Sequence, residues 1–211
     1  MQNILLASGN EGKIAEIQER LLALSMTLIP QKTWGIREAE ETGTTFVENA
    51  IIKARHAAQY FQGPVLADDS GLVVDALNGA PGVYSSRFGG EGASARDRID
   101  KVLCAVVDTG DLNRHARFHC VLVLMRNAED PAPWIFQGVW EGTLLWEPRG
   151  DRGFGYDPIF YVPTHHCSAA ELDETVKNTI SHRGQALQQL VALLEQGREV
   201  WYETSNPYEV R

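Results

Sequence analysis

The chain reads as an α/β fold with a mixed central sheet flanked by helices, and three features of its 211 residues carry that reading. A short apolar strand at the N-terminus runs through a loop into an amphipathic helix. Helices and strands then alternate, but several strands follow one another in the middle, which a purely parallel doubly wound sheet does not allow. The length, with 44% hydrophobic and 22% charged residues, suits one domain with a substantial core, even if that domain is divided into two lobes. Residues 1–196 are assigned to this domain and 197–211 to a polar C-terminal tail carrying Trp201, Tyr202 and Tyr208.

Asn3 to Ala7 forms the first strand, and Ile14, Ile17, Leu21 and Leu22 recur at helical spacing after it. Thr45 and Glu48 have the spacing of a capping box for a helix whose apolar stripe is Val47, Ala50, Ile51, Ala54, Ala58 and Phe61. Asn49, Lys53 and His56 share another face of it. Pro64 to Ala67 and Leu72 to Leu77 read as strands on either side of a turn or bulge at Asp68-Asp69-Ser70-Gly71. The glycine-rich stretch 79–92 is a loop, and Ser94 to Asp97 opens another helix. Phe118 to Met125, Ile135 to Trp146 and Ile159 to Val162 supply the later strands. A helix over 169–177, capped by Ser168 and Glu171, and another from Ser181 close the domain.

Composition narrows the function. A formal net charge of -9 argues against holding a nucleic-acid backbone, which requires a positive face. Cys104, Cys120 and Cys167 are odd in number and show no CxxC spacing, so neither a disulfide framework nor a zinc site is indicated. No basic, long apolar leader precedes Ser8 and no apolar run spans a bilayer, so the expected location is the cytoplasm, with no membrane partner. His165-His166-Cys167 has the residue types of a soft-metal site, but three contiguous residues do not converge on one ion without other ligands, and the segment reads as a surface loop.

The loop Ser8-Gly9-Asn10-Glu11-Gly12-Lys13 joins strand to helix, and so sets backbone N–H groups and a lysine at the positive end of a helix dipole, as phosphate binding requires. Its glycines are too close together for a Walker A loop, and an ordinary strand-to-helix turn is the plain alternative. Glu40-Glu41 and Asp68-Asp69 offer hard oxygen ligands of the kind magnesium takes, and a carboxylate can also accept a proton from water. Asp68-Asp69 sits at the end of an apolar strand, where ionised groups need a reason to be present. Lys13, Lys53, Lys177 and Arg183 would serve a polyanion only if the fold gathers them; separately each reads as a solvated charge. Phe154, flanked by glycines, is either a stacking platform for a base or a loop anchor.

Six blocks occur in order: SGNEGK at 8–13, EETGTTFVENAIIKA at 40–54, ADDSGL at 67–72, GAPGVYSSR at 79–87, GFGYDP at 153–158 and SHRGQAL at 181–187. Together they resemble the inosine triphosphate pyrophosphatase family, whose bacterial members are called XTP/dITP diphosphatases. The resemblance extends through about Leu194. It implies an elongated two-lobed α/β protein, usually a homodimer, that uses Mg2+ to split ITP, dITP or XTP between the α- and β-phosphates. By motif match, Ser8, Gly9, Asn10, Glu11, Gly12 and Lys13 form the phosphate loop and Lys53 adds a phosphate contact. Asp69 matches the general base and a metal contact, Glu41 a second acidic metal or water position and Ser70 a substrate contact. Phe154, Gly155, Tyr156, Asp157, Lys177, His182 and Arg183 match positions that enclose and read the purine. Ser8 stands where many relatives have threonine, and keeps the hydroxyl.

Two other readings stay open at this point. A pyrophosphatase for modified pyrimidine or methylated nucleotides would begin with a serine-proline-arginine loop, not with SGNEGK. A non-catalytic nucleotide sensor would have no need of Asp69 and Glu41 together.

Overall fold

The computed structural model describes residues 2–196; the tail assigned to 197–211 lies outside the described residues. β1 (Gln2–Ala7) leads into α1 (Glu11–Leu22), whose buried Ile17 and Leu21 repeat at helical spacing. β2 (Met26–Pro30) follows, a strand too short and mixed for its pattern to stand out in the sequence. α2 (Phe46–Ala58) begins with the capping box expected at Thr45 and Glu48, and its Ala50, Ala54, Ala57 and Ala58 let it lie close on the sheet. β3 (Val65–Val74) is one continuous strand. α3 (Ala95–Thr109) has a capping box at Ser94 and Asp97 and ends on Gly110 in the left-handed conformation. β4 (His115–Met125) and β5 (Trp134–Leu144) are long and antiparallel; β6 (Phe160–Val162) and β7 (Cys167–Ser168) are short. α4 (Glu174–Ile180) and α5 (His182–Glu195) complete the chain, with Ser181 capping α5 through the amide of Gly184.

The seven strands form one sheet in the order β2-β1-β3-β4-β5-β6-β7. β2, β1 and β3 are parallel and the remainder antiparallel, so the sheet is mixed, as the run of consecutive strands predicts. One face is covered by α1 and α5 through Ile17, Leu21, Leu187 and Leu190, and the other by α2 through its alanines. A separate cluster of Leu72, Ile99, Val102, Phe118, Trp140 and Phe160 forms the core of the second lobe around α3 and the far ends of β3 to β5. No helix among the described residues is long and apolar enough to cross a membrane.

Two expectations need correction. Residues 68–71 are not a turn: all four pair with β4, from Asp68 opposite Leu122 to Gly71 opposite His119. The paired acids in the sequence suggested a break, but their charges are met by side chains from other elements and the strand does not have to stop. The helix placed at 169–177 starts at Glu174 with Asp173 as its cap. Glu171 does accept from the Ser168 amide at 2.7 Å, the bond a capping box would make, but Ser168 is held in β7 and its hydroxyl donates to the Arg149 carbonyl.

Gly138 of β5 lies under the first turn of α5, where a Cβ would overlap the His182 carbonyl oxygen and come within 2.9 Å of Gln185 Cβ. Gly138→Ala should push α5 off the sheet and cost about 1–3 kcal/mol or more. A urea midpoint equal to wild type would show that the contact is slack.

Candidate active site

Between the lobes lies a cleft of about 1250 Å³, lined by every residue that the motif match assigns to substrate or metal; of the acidic pairs singled out as metal ligands, Asp68 alone does not line it. The 8–13 loop, the strand β3, the 153–157 loop and the α4–α5 junction approach it from different sides. Asn10 caps α1 by accepting from the Lys13 amide at 3.1 Å, while its own amide donates to Ser8 Oγ at 3.2 Å. This fixes the loop at the positive end of the helix. At Gly12 a Cβ would come within 2.8 Å of the Phe154 ring, so the two loops are in close approach and only glycine fits there.

Because β3 is continuous, Asp68 and Asp69 point to opposite faces of the sheet. Asp68 turns toward α1 and α5. Its fully buried carboxylate meets Lys13 Nζ at 2.5 Å and Arg183 Nε at 2.8 Å. It also accepts from Ser70 Oγ at 2.9 Å and from Cys120 Sγ at 3.4 Å. Burial alone would raise its pKa, but Arg183 and Lys13 outweigh it and hold the carboxyl well below the usual range. The same burial, with Asp68 beside it, pushes the Cys120 thiol well up, so that it stays a neutral donor.

Asp69 turns toward α2, where Lys53 Nζ lies 2.6 Å from its Oδ1 and 2.9 Å from Glu41 Oε1. Arg87 takes the other Glu41 oxygen at 2.6 Å. Asp69 Oδ2 is buried and accepts no hydrogen bond. Burial raises the Asp69 carboxyl above its ordinary value against the pull of Lys53, whereas for Glu41 burial is outweighed by Lys53 and Arg87 and the carboxyl is lowered. Two carboxylates with one unpartnered buried oxygen suit a hard divalent ion that draws its other ligands from phosphate and water. Among the described residues no group of three or more His, Cys, Asp or Glu side chains converges on a point, so a cage made only of protein ligands is not present.

At the other end of the cleft, Glu16 of α1 accepts from Arg183 Nη1 at 2.6 Å and from Lys177 Nζ at 3.2 Å. Lys177 also donates to Asp157 at 2.7 Å, and Arg183 Nη2 donates to Ser70 Oγ at 2.9 Å. The Phe154 ring has Lys177 Nζ at 4.9 Å and Arg183 Cζ at 5.7 Å from its centroid. His182 stacks on Phe118 at 4.7 Å and 12°, and its Nδ1 is buried with no partner. Burial, reinforced by Arg183, holds its pKa well below the ordinary value, so the ring is neutral.

Sequence reasoning missed three participants. Glu16 lies one helical turn after Lys13, and no motif or spacing marks it out from the other acids of α1. Arg87 and Ser85 belong to the GAPGVYSSR block, but nothing local says that Arg87 reaches Glu41 or that Ser85 Oγ accepts from the Leu72 amide at 2.9 Å. The His165–Cys167 segment, by contrast, stays outside the cleft, with His165 and His166 exposed.

The model of the Ham1 family matches residues 4–193. The chain belongs to the Ham1 family. A protein from Coxiella burnetii named dITP/XTP pyrophosphatase is 59% identical over 194 residues, 92% of this chain and 97% of that protein. One of the same name from Vibrio cholerae is 54% identical over 198 residues, 94% of this chain and 99% of that one. The solved structure of a HAM1 protein from Coxiella burnetii matches with a TM-score of 0.88 at 58% identity, covering 93% of this chain and 100% of its own. That of the Staphylococcus aureus Ham1 protein gives 0.82 at 39% identity with the same coverage. The six motifs and these Ham1 relatives point to one family, and the mixed sheet is the fold that its solved members share.

Two outcomes follow for stability. Asp68→Asn leaves Lys13 and Arg183 without their shared counter-charge and should destabilise the fold by about 3–5 kcal/mol in urea unfolding. His182 is neutral when folded and takes up a proton near its ordinary value when unfolded, so its contribution is complete above that value and falls away as the pH drops below it. Wild-type stability should therefore fall by up to about 1.4 kcal/mol per pH unit below pH ~6.5 from this residue, and His182→Gln should flatten that slope.

Proposed function

We propose that this protein hydrolyses non-standard purine nucleoside triphosphates, ITP, dITP and XTP, to the monophosphate and pyrophosphate, and so clears them from the nucleotide pool of the cytoplasm. One observation carries the reading: a phosphate-type loop, a buried carboxylate with a free oxygen and an aromatic-cationic pocket face a single cleft. The relatives' names support the same substrate class.

In this reading the triphosphate lies along the 8–13 loop, with Lys13 and Lys53 neutralising its oxygens. Asp69 Oδ2 accepts a proton from a water whose oxygen attacks the α-phosphorus in line. The bond from that phosphorus to the bridging oxygen breaks, and its electron pair leaves with pyrophosphate. Glu41 and Asp69 would hold Mg2+, which when bound offsets charge on the phosphates and on the departing group. The raised carboxyl of Asp69 makes it a better proton acceptor than an exposed aspartate.

The base lies beside Phe154, whose ring already contacts Lys177 and Arg183, and these two with His182 supply the donors that read its edge. Their donors pair with a 6-oxo group and meet only a donor in adenine. Each buried donor left unpaired costs about 1–3 kcal/mol, so several together exclude ATP. Arg183 is held by Glu16, Asp68 and Ser70, and Lys177 by Asp157 and Glu16, so these donors are aimed before substrate arrives. Guanine shares the 6-oxo group, so GTP must be rejected at the 2-position. The domain 1–196 acts as a homodimer in this reading.

Products of ITP, GTP and ATP, each incubated with protein and Mg2+, test the reading. IMP and pyrophosphate from ITP, with little from the others, is expected; IDP and orthophosphate would mean a terminal phosphatase instead. Asp69→Asn should lower kcat by about 100-fold or more while ITP still protects the fold against heat. Turnover at the wild-type rate would remove Asp69 from the mechanism.

A further inference from the structure

Lys53 reaches from the middle of α2 to the point where Asp69 and Glu41 come together, and its ammonium bonds both at 2.6 and 2.9 Å. All three side chains are at least four-fifths buried, so the cluster is largely closed to water. Each of the two oxygens that Lys53 engages belongs to a carboxylate assigned above to the divalent ion. Glu41 has no oxygen to spare, since Arg87 holds Oε2; Asp69 has only Oδ2. An ammonium and a divalent cation cannot share these oxygens, because at such spacing in a poorly hydrated site their repulsion is large. One of them has to leave. Lys53 is on a flexible stem at the wall of the cleft, beside the place assigned to the triphosphate.

We propose that Lys53 is a place-holding cation, which balances Asp69 and Glu41 until a triphosphate draws it onto phosphate oxygens and so opens the carboxylate pair to the metal. The inference rests on the metal assignment made under the proposed function, and deepens it. It makes metal and nucleotide binding cooperative: the ion joins the carboxylates with the triphosphate and not before it, and by linkage the ion strengthens nucleotide binding by the same factor. The carboxylates are spared mutual repulsion in the interval.

The test is Mn2+ binding to the full chain without any nucleotide, followed by the loss of the free-ion electron paramagnetic resonance signal. Wild type should bind weakly. Lys53→Met should bind Mn2+ at least about tenfold more tightly, a change worth about 1.4 kcal/mol, and Lys53→Arg should return to wild-type weakness. Adding Glu41→Gln to Lys53→Met should abolish the gain, which locates the ion at this pair. Lys53→Gln is run in parallel, so that a fold lost in one variant leaves the comparison standing. Tight Mn2+ binding by wild type itself, no gain in the folded Lys53 variants, or a gain that survives Glu41→Gln would each overturn the proposal. Failure of the functional reading registers separately, as an absence of IMP and pyrophosphate from wild type with ITP.

Discussion

The site depends on one feature of backbone geometry: the alternation of side chains along β3. Asp68 and Asp69 are neighbours in the chain, yet the strand sends one to each face of the sheet. A pair of carboxylates on the same side would repel each other, and one would take up a proton. On opposite sides they do different work. Asp68 becomes a buried structural anion, and Asp69 opens toward the cleft with an oxygen to spare.

The anchoring at Asp68 joins parts of the molecule that are far apart in the chain. Lys13 comes from the first turn of α1 and Arg183 from the first turn of α5, and both close on the same carboxylate. A buried carboxylate by itself would be expensive; with two cations, a hydroxyl and a thiol around it, the charge is fully met. Glu16 extends the network to Lys177 and, through it, Asp157. The 8–13 loop and the pocket around Phe154 are therefore held in register by ion pairs inside the protein. A chain of net charge -9 thus still sets lysines and arginines along the cleft, because internal carboxylates gather them and hold them in place.

Much of the fold was legible because its signals are local. The capping boxes at Thr45 and Ser94 and the cap at Ser181 mark helix starts through bonds that span three residues. β2 escaped notice because five residues with a broken burial pattern carry little periodicity, and it becomes a strand only by pairing with β1. The misplaced start of α4 came from a true local bond, Ser168 to Glu171, that a β-bridge to Tyr161 outweighs. The site residues were found through ordered motifs, and not through spacing: no local rule relates Lys13 to Asp68 or Glu16 to Arg183.

The linear order of residues was enough for the α/β class, the main helix boundaries and the residue types that a phosphate and a metal would need, since capping, periodicity and composition act over a few residues. Which cation meets which carboxylate was settled only by folding. The run Asp68-Asp69 looks like a doubled acidic group until β3 forms, and its partners Lys13, Lys53 and Arg183 are brought to it by three separate helices. Contacts between residues on different elements leave no periodic trace, because their geometry is set by how α1, α2 and α5 pack on the two faces of the sheet.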